Sequence, residues 1–211
     1  MPADRAQALA LIQPDAQLER RLDIYVDLLS RWRKITNLIS EATFHQVWTR
    51  HIADSAQLLN YAPGSRRWVD MGSGAGFPGI VIAIQLADLP GAQVHCIESD
   101  KRKCAFLREV ARATGAPARV HAARVENIDP ESLGPVDAVT SRALAPLPKL
   151  IEFANVWLSR GAIGIFPRGR TAEAQIEALS FTPPFHIESF PSELDPEARI
   201  VRVRGAEQAS P

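Results

Sequence analysis

The stretch Val69-Asp70-Met71-Gly72-Ser73-Gly74-Ala75-Gly76-Phe77-Pro78-Gly79 constrains the chain more than any other. It reads as a short strand, Trp68 to Met71, running into a glycine loop and then into an apolar helix from Ile80 to Leu86. Glycines after a strand permit positive φ and let a ligand approach the backbone where a Cβ would collide. A helix that opens on such a loop presents free N–H groups to electron-rich ligand atoms. Pro78 suits the first helical turn, where its missing N–H costs nothing.

The pattern around this loop sets the fold class. Leu18, Leu22, Tyr25, Leu29 and Trp32 form one helical stripe, and Phe44, Val47, Trp48, His51, Ile52, Ser55 and Leu59 form a second. Pro63-Gly64-Ser65 stops the second helix. From Arg67 strands and helices alternate. Strands are predicted at Gln93–Glu98, Ala118–Ala123, Val136–Thr140 and Ala162–Phe166. A helix capped by Ser99 or Asp100 ends at Gly115, and another carries Leu147, Leu150, Ile151, Ala154 and Leu158. Such alternation implies a parallel sheet covered on both faces. Phe185–Phe190 and Ile200–Val203 have no helical pattern between them and favour an antiparallel closing pair. The expected division is a helical extension over 1–65 packed on a Rossmann-like unit over 66–211.

Composition narrows the function classes. The chain has 211 residues, enough for one generous domain with its own core. Cys96 and Cys104 form no CxxC, so neither a disulfide framework nor a cysteine-built zinc site is expected, and a reducing, cytoplasmic setting fits. No metal is expected. The longest uncharged run, Met71 to Ala87, is shorter than a span of about 20 residues and is broken by glycines, so no membrane partner is expected. The 24 basic and 24 acidic side chains balance overall, but residues 61–170 carry fourteen basic against ten acidic. A locally basic face can meet phosphates on a neutral protein.

Two cofactor classes compete for the loop. Gly74-Ala75-Gly76-Phe77-Pro78-Gly79 satisfies the dinucleotide pattern G-x-G-x-x-G, with Glu98 about 20 residues on to hold a ribose. The three alternating glycines preceded by Val-Asp-x resemble instead the first motif of class I S-adenosylmethionine methyltransferases. The closing antiparallel pair suits that fold better than a dehydrogenase.

Further motifs narrow the resemblance. Asn37-Leu38, Arg50-His51-Ile52-x-Asp54-Ser55, the Asp70–Gly79 loop, Glu98-Ser99, Arg124-Val125-Glu126 and Ser141-Arg142-Ala143 together resemble the RsmG (GidB) family over roughly residues 20–180. The resemblance implies a class I S-adenosylmethionine methyltransferase fold, mostly parallel with an antiparallel closing strand. It also implies methylation of N7 of a guanine in 16S ribosomal RNA, free or in the small subunit. A monomer is expected. Arg168-Gly169 stands where the family commonly has Lys-Gly, and Ile39 where it commonly has Thr.

The resemblance places Gly72 and Phe77 at the cofactor's methionine end, with Gly74 and Gly76 shaping the loop. Asp70 either orients the amino group or braces the loop. Glu98 takes the ribose hydroxyls, Ser99 lies beside the adenosine, and Val125 and Glu126 meet the adenine. Arg142 contacts the cofactor. His51, Arg124, Arg168 and Arg170 are the candidates for the RNA side. His51 sits on the apolar stripe, with Asp54 and Ser55 close enough along a helix to bond to it.

Guanine N7 carries an in-plane lone pair and no proton, so the reaction needs no general base and no catalytic residue is singled out. Alignment of the reacting atoms and fixed dipoles around the purine suffice. Two other readings remain: a methyltransferase for a small molecule or protein side chain, which would need a proton acceptor, and a non-catalytic nucleotide-binding ribosome-assembly module.

Overall fold

In a computed structural model, residues 2–177, 179 and 185–205 are described; the last six residues of the expected 66–211 unit lie outside them. The chain runs through α1 (Pro2–Ile12), α2 (Ala16–Trp32) and α3 (Glu41–Phe44), then a π-helical turn (Trp48–Ala53) and α4 (Asp54–Ala56). There follow β1 (Arg67–Met71), α5 (Gly79–Gln85), β2 (Gln93–Glu98), α6 (Lys101–Thr114), β3 (Ala118–Ala122) and β4 (Ala138–Thr140). The chain continues through α7 (Leu147–Leu158), β5 (Ile163–Arg168), α8 (Ala172–Glu177), β6 (Phe185–Pro191) and β7 (Arg199–Gly205).

Among the described residues, seven strands form one sheet in the order β3-β2-β1-β4-β5-β7-β6. β1 to β5 run parallel, and β7 closes antiparallel on β5 and β6. β1, β2, β4 and β5 are buried almost throughout, as strands covered on both faces must be. α5 and α6 cover one face and α7 the other. The Asp100 carboxylate caps α6 by accepting from Arg102 and Lys103 N–H, and Gly115 ends it in the left-handed region at φ 67°.

The amino-terminal helices share the core of the α5–α6 face. Leu22, Tyr25, Val26 and Leu29 of α2 pack in one cluster with Ile80, Phe106, Leu107 and Val110. Burying each such side chain contributes about 1.5–3 kcal/mol. Tyr25 Oη donates to Ala75 O at 2.6 Å, fastening α2 to the glycine loop.

The single helix expected from Phe44 to Leu59 is broken into α3, the π turn, α4 and a 3-10 turn over Gln57–Tyr61. Asp4 of α1 explains the break. Its carboxylate accepts from Trp48 N–H and Thr49 N–H, both at 3.0 Å, and so starts a new helical segment there. π turns concentrate at functional sites, because the extra residue re-aims the side chains beyond it. α8 had no counterpart in the periodicity, and β4 begins at Ala138 rather than Val136. Among the described residues no helix is long and apolar enough to cross a membrane.

Candidate functional site

The parallel strands deliver their carboxyl ends to one edge of the sheet, where open α/β folds bind ligands. A cavity of about 410 Å³ lies there, walled by the glycine loop, the ends of β2 and β3, and the segment after β4. Gly72, Gly74, Phe77, Glu98, Ser99, Val125, Glu126 and Arg142 all line it. Gly74 has φ 56°, and a Cβ there would enter open space, meeting only Gly72 O at 3.9 Å. Gly76 (φ 97°) is different. A Cβ there would strike Ile80 and the Tyr25 hydroxyl, so this glycine serves packing behind the loop.

Glu98 is 9 % exposed at the end of β2. Its Oε2 accepts from Gly74 N–H at 2.9 Å and its Oε1 from Asp100 N–H at 2.8 Å. The carboxylate therefore shapes the loop, and each oxygen keeps a lone pair for a further donor. Asp70 is fully buried and off the cavity wall, with Oδ2 accepting from Gly79 N–H at 3.1 Å. A Cβ on Gly79 would lie 2.5 Å from that oxygen. Burial pushes the Asp70 pKa up to about 6, against hydrogen bonds that lower it. Of the two roles open to Asp70, the geometry is that of a loop brace.

A second cavity, about 610 Å³, lies between the π turn, α4 and the β6–β7 connection. Arg142 lines both cavities. Its Nη1 donates to His51 Nδ1 at 2.8 Å, and its guanidinium lies 5.1 Å from the Phe77 ring centroid. The His51 ring stacks on Phe77 at 4.8 Å. These three side chains meet where the cavities adjoin and make up a partition there, Phe77 lining the first cavity, His51 the second and Arg142 both. An arginine can only donate, so His51 Nδ1 is the acceptor and the ring is the neutral Nε2–H tautomer. Burial first, then Arg142 and Arg50, holds the His51 pKa down to about 3. The bond expected from Ser55 to the His51 ring is not formed; Ser55 Oγ donates to the His51 backbone carbonyl at 2.6 Å.

The arginines expected on the RNA side separate. Arg124 lines the first cavity. Arg168 lines the second, but its guanidinium is turned inward, donating to Ser141 O at 3.1 Å and Ala145 O at 3.0 Å. Burial lowers its pKa to about 10. It fastens the segment that carries Arg142. Arg170 is on neither cavity wall and pairs with Glu197 at 2.7 Å. Arg170 thus stands off both cavity walls in an exposed ion pair, and Arg168 is placed as a brace. By contrast Lys101, Arg102, Lys103, Arg108, Arg112, Arg119 and Arg124 form no ion pair with any described residue.

Several wall residues were not among the candidates the sequence offered. Leu38, Leu144 and Phe153 give the first cavity its apolar surface, and Lys103 a cation. Leu38 belongs to the Asn37-Leu38 motif and Leu144 adjoins Ser141-Arg142-Ala143, whereas nothing local marks Phe153. Asp54 and Arg50 line the second cavity, from the same motif as His51.

The sheet order, the closing antiparallel strand and the glycine loop against an acidic β2 end define a class I S-adenosylmethionine methyltransferase fold. Solved structures agree on that fold: the cofactor-bound Rv0187 from MTB at TM-score 0.63 and 15% identity covers 95% of each chain. An SAH-bound methyltransferase, PaMTH1 from Podospora anserina, follows at TM-score 0.61 and 12% identity, over 87% of this chain and 88% of its own. The chain belongs to the GidB family, rRNA small subunit methyltransferase G, whose model matches residues 18–194. Curated relatives carrying the name ribosomal RNA small subunit methyltransferase G include one from Methylobacterium sp. (strain 4-46), 47% identical over 96% of each chain. Another, from Bradyrhizobium sp. (strain BTAi1 / ATCC BAA-1182), is 51% identical over 82% of this chain and 78% of its own.

Proposed function

We propose that this methyltransferase modifies N7 of a guanine in 16S ribosomal RNA, with S-adenosylmethionine in the first cavity and the target base in the second. The observation that carries the reading is the shared partition of Arg142, His51 and Phe77 between the two cavities. When bound, S-adenosylmethionine supplies an electrophilic sulfonium methyl group.

The first cavity fits that cofactor. Gly74 leaves the loop face open, Glu98 offers acceptors for ribose hydroxyls, and Val125 and Glu126 offer backbone for the adenine beside Ser99. Gly72 and Phe77 border the methionine end. Arg142 is half-buried and has no carboxylate ion partner among the described residues, and such a cation fits the cofactor's carboxylate. On the base side, neutral His51 takes up no proton at physiological pH, consistent with a nucleophile that has none to lose. The transfer requires N7 and the methyl carbon to meet directly beside these side chains, and the residues' work is to hold cofactor and base in line there.

The unpaired cations from Lys101 to Arg124 support contact with RNA phosphates at exposed α6 and β3 positions, with Lys103 and Arg124 on the wall of the cofactor cavity rather than of the base cavity. Phosphate contacts supply affinity, and an unstacked base supplies selectivity. A cytoplasmic monomer is the form expected to act. The test is incubation with tritiated-methyl cofactor and small ribosomal subunits, followed by mapping of the label. Label on a guanine, released as 7-methylguanine, is the expected result. Label only on protein or on small molecules would support the other methyltransferase reading, and no consumption of cofactor the assembly-module reading.

A further inference from the structure

The second cavity holds a carboxylate with no part in the alignment of cofactor and base. Asp54 follows the π turn at the start of α4 and lines this cavity. One of its oxygens, Oδ1, accepts from Gln57 Nε2 at 2.9 Å. Gln57 is itself buried and held from the other side. Its Nε2 reaches Ser192 Oγ at 3.1 Å, and its Oε1 accepts from Glu193 N–H at 3.1 Å. Asp54 is thus fixed by a side chain that is clamped to the β6–β7 connection. The other carboxylate oxygen has no partner among the described residues and is not sealed from the cavity. Burial raises the Asp54 pKa, and Arg142, Gln57 and Arg50 act against that rise, neither arginine forming an ion pair with the carboxylate. The cavity's other carboxylate, Asp195, is exposed, and its Oδ1 already accepts from Glu197 N–H at 3.0 Å.

We infer that Asp54 is the guanine-reading residue of the base cavity, accepting hydrogen bonds from N1–H and the N2 amino group while N7 faces the Arg142–His51–Phe77 partition. This rests on the base-modification reading above. The chemistry is selective. On that edge guanine presents two adjacent donors, whereas adenine presents a bare N1 acceptor that would meet a carboxylate with repulsion. The cavity has room for a nucleotide turned out of its stack, and a fixed carboxylate within it costs no reorganisation when the base arrives. The same contact favours the reaction itself. As the bond from N7 to the methyl carbon forms and the carbon–sulfur bond breaks, positive charge passes to the purine. N1–H then becomes more acidic, and its bond to Asp54 strengthens in the transition state more than in the ground state.

The test compares small subunits reconstituted with guanine or with hypoxanthine at the methylated position, since hypoxanthine keeps N1–H, O6 and N7 but lacks the N2 amino group. Wild-type protein should methylate the hypoxanthine substrate at least about tenfold less efficiently in kcat/KM, the scale of one missing hydrogen bond to a charged acceptor. Asp54→Asn and Asp54→Ser should be slow on guanine, with the gap between the two substrates closed to within about twofold. S-adenosylmethionine affinity by calorimetry and a cooperative melt identify the variants that are folded. Equal rates for the wild type on both substrates, or the same gap in a folded Asp54 variant, overturns the assignment. Absence of label on the guanine substrate with wild-type protein overturns the base-modification reading instead.

Discussion

Arg142 and His51, 91 positions apart, are joined by a single bond of 2.8 Å that fixes the histidine in one tautomer and one charge state. The guanidinium supplies only donors, so the imidazole must accept at Nδ1 and stay neutral. Phe77 stacks beneath the ring and the guanidinium lies over the same phenyl group, so the three side chains stand or fall together.

A pH dependence of stability follows from that neutrality. The folded-state pKa of His51 is about 3 against an ordinary 6.5. Between those values the unfolded chain binds a proton that the folded chain refuses, so this residue makes stability fall as pH falls from about 6.5 toward 3. Asp70, raised to about 6, acts in the opposite sense between about 3.8 and 6. His95, lowered to about 4, acts as His51 does. Urea midpoints at pH 7 and pH 5 for wild type and His51→Gln isolate the term. The variant should lose less stability over that interval, by up to one proton's worth of slope, and identical slopes would show His51 protonated in the native protein.

Gly74→Val should abolish saturable S-adenosylmethionine binding. Valine is a steric outlier at φ 56°, and its side chain would project into the first cavity. The strain costs about 1–2 kcal/mol, which lowers the melting temperature without unfolding the chain at 25 °C. Titration calorimetry on the folded variant checks it, and wild-type affinity there would remove the loop face from the cofactor site.

Glu98→Ala should weaken S-adenosylmethionine binding by about 1.5–3 kcal/mol, the scale of hydrogen bonds to a charged acceptor. It should also lower stability, because Gly74 N–H and Asp100 N–H lose their acceptor. Glu98→Gln keeps one acceptor oxygen and should fall between the two. Unchanged affinity in both variants would leave Glu98 a loop brace alone.

Arg168 and Arg170, two residues apart, should behave oppositely. Arg168→Ala frees Ser141 O and Ala145 O and loosens Arg142, so cofactor affinity should drop. Arg170→Ala removes an exposed ion pair and should change stability by no more than about 1 kcal/mol, with no effect on cofactor or rRNA binding.

Salt dependence should track the unpaired cations. Replacing Arg112 and Arg119 by Gln should reduce the log–log salt slope of rRNA binding by about 0.7–0.9 for each phosphate that one of these arginines neutralises. Filter binding across a salt series reads both this pair and Arg170→Ala. A slope that falls with Arg170→Ala and is unchanged without Arg112 and Arg119 would return the phosphate contacts to the β5 loop.

Local features were legible in the residues alone. The strand, glycine loop and helix over Val69–Gly79, the Asp100 cap and the Gly115 stop could all be read, because φ requirements and capping bonds are met within a few residues. The closing antiparallel pair was legible from the missing crossover helix. The break at Trp48 was not, because the carboxylate that causes it belongs to Asp4 in another helix. Arg168 and Arg170 look alike in sequence. Packing alone turned one toward the carbonyls after β4 and left the other to Glu197. The same holds for Asp54, whose neighbours in sequence suggested a bond to His51. The folded chain gives it a hydrogen bond to Gln57, clamped in turn by Ser192 and Glu193, and leaves one oxygen open to the cavity. Side chains with many possible partners are assigned by whichever surface the closed core brings within hydrogen-bond reach, and that is a property of the fold rather than of any segment.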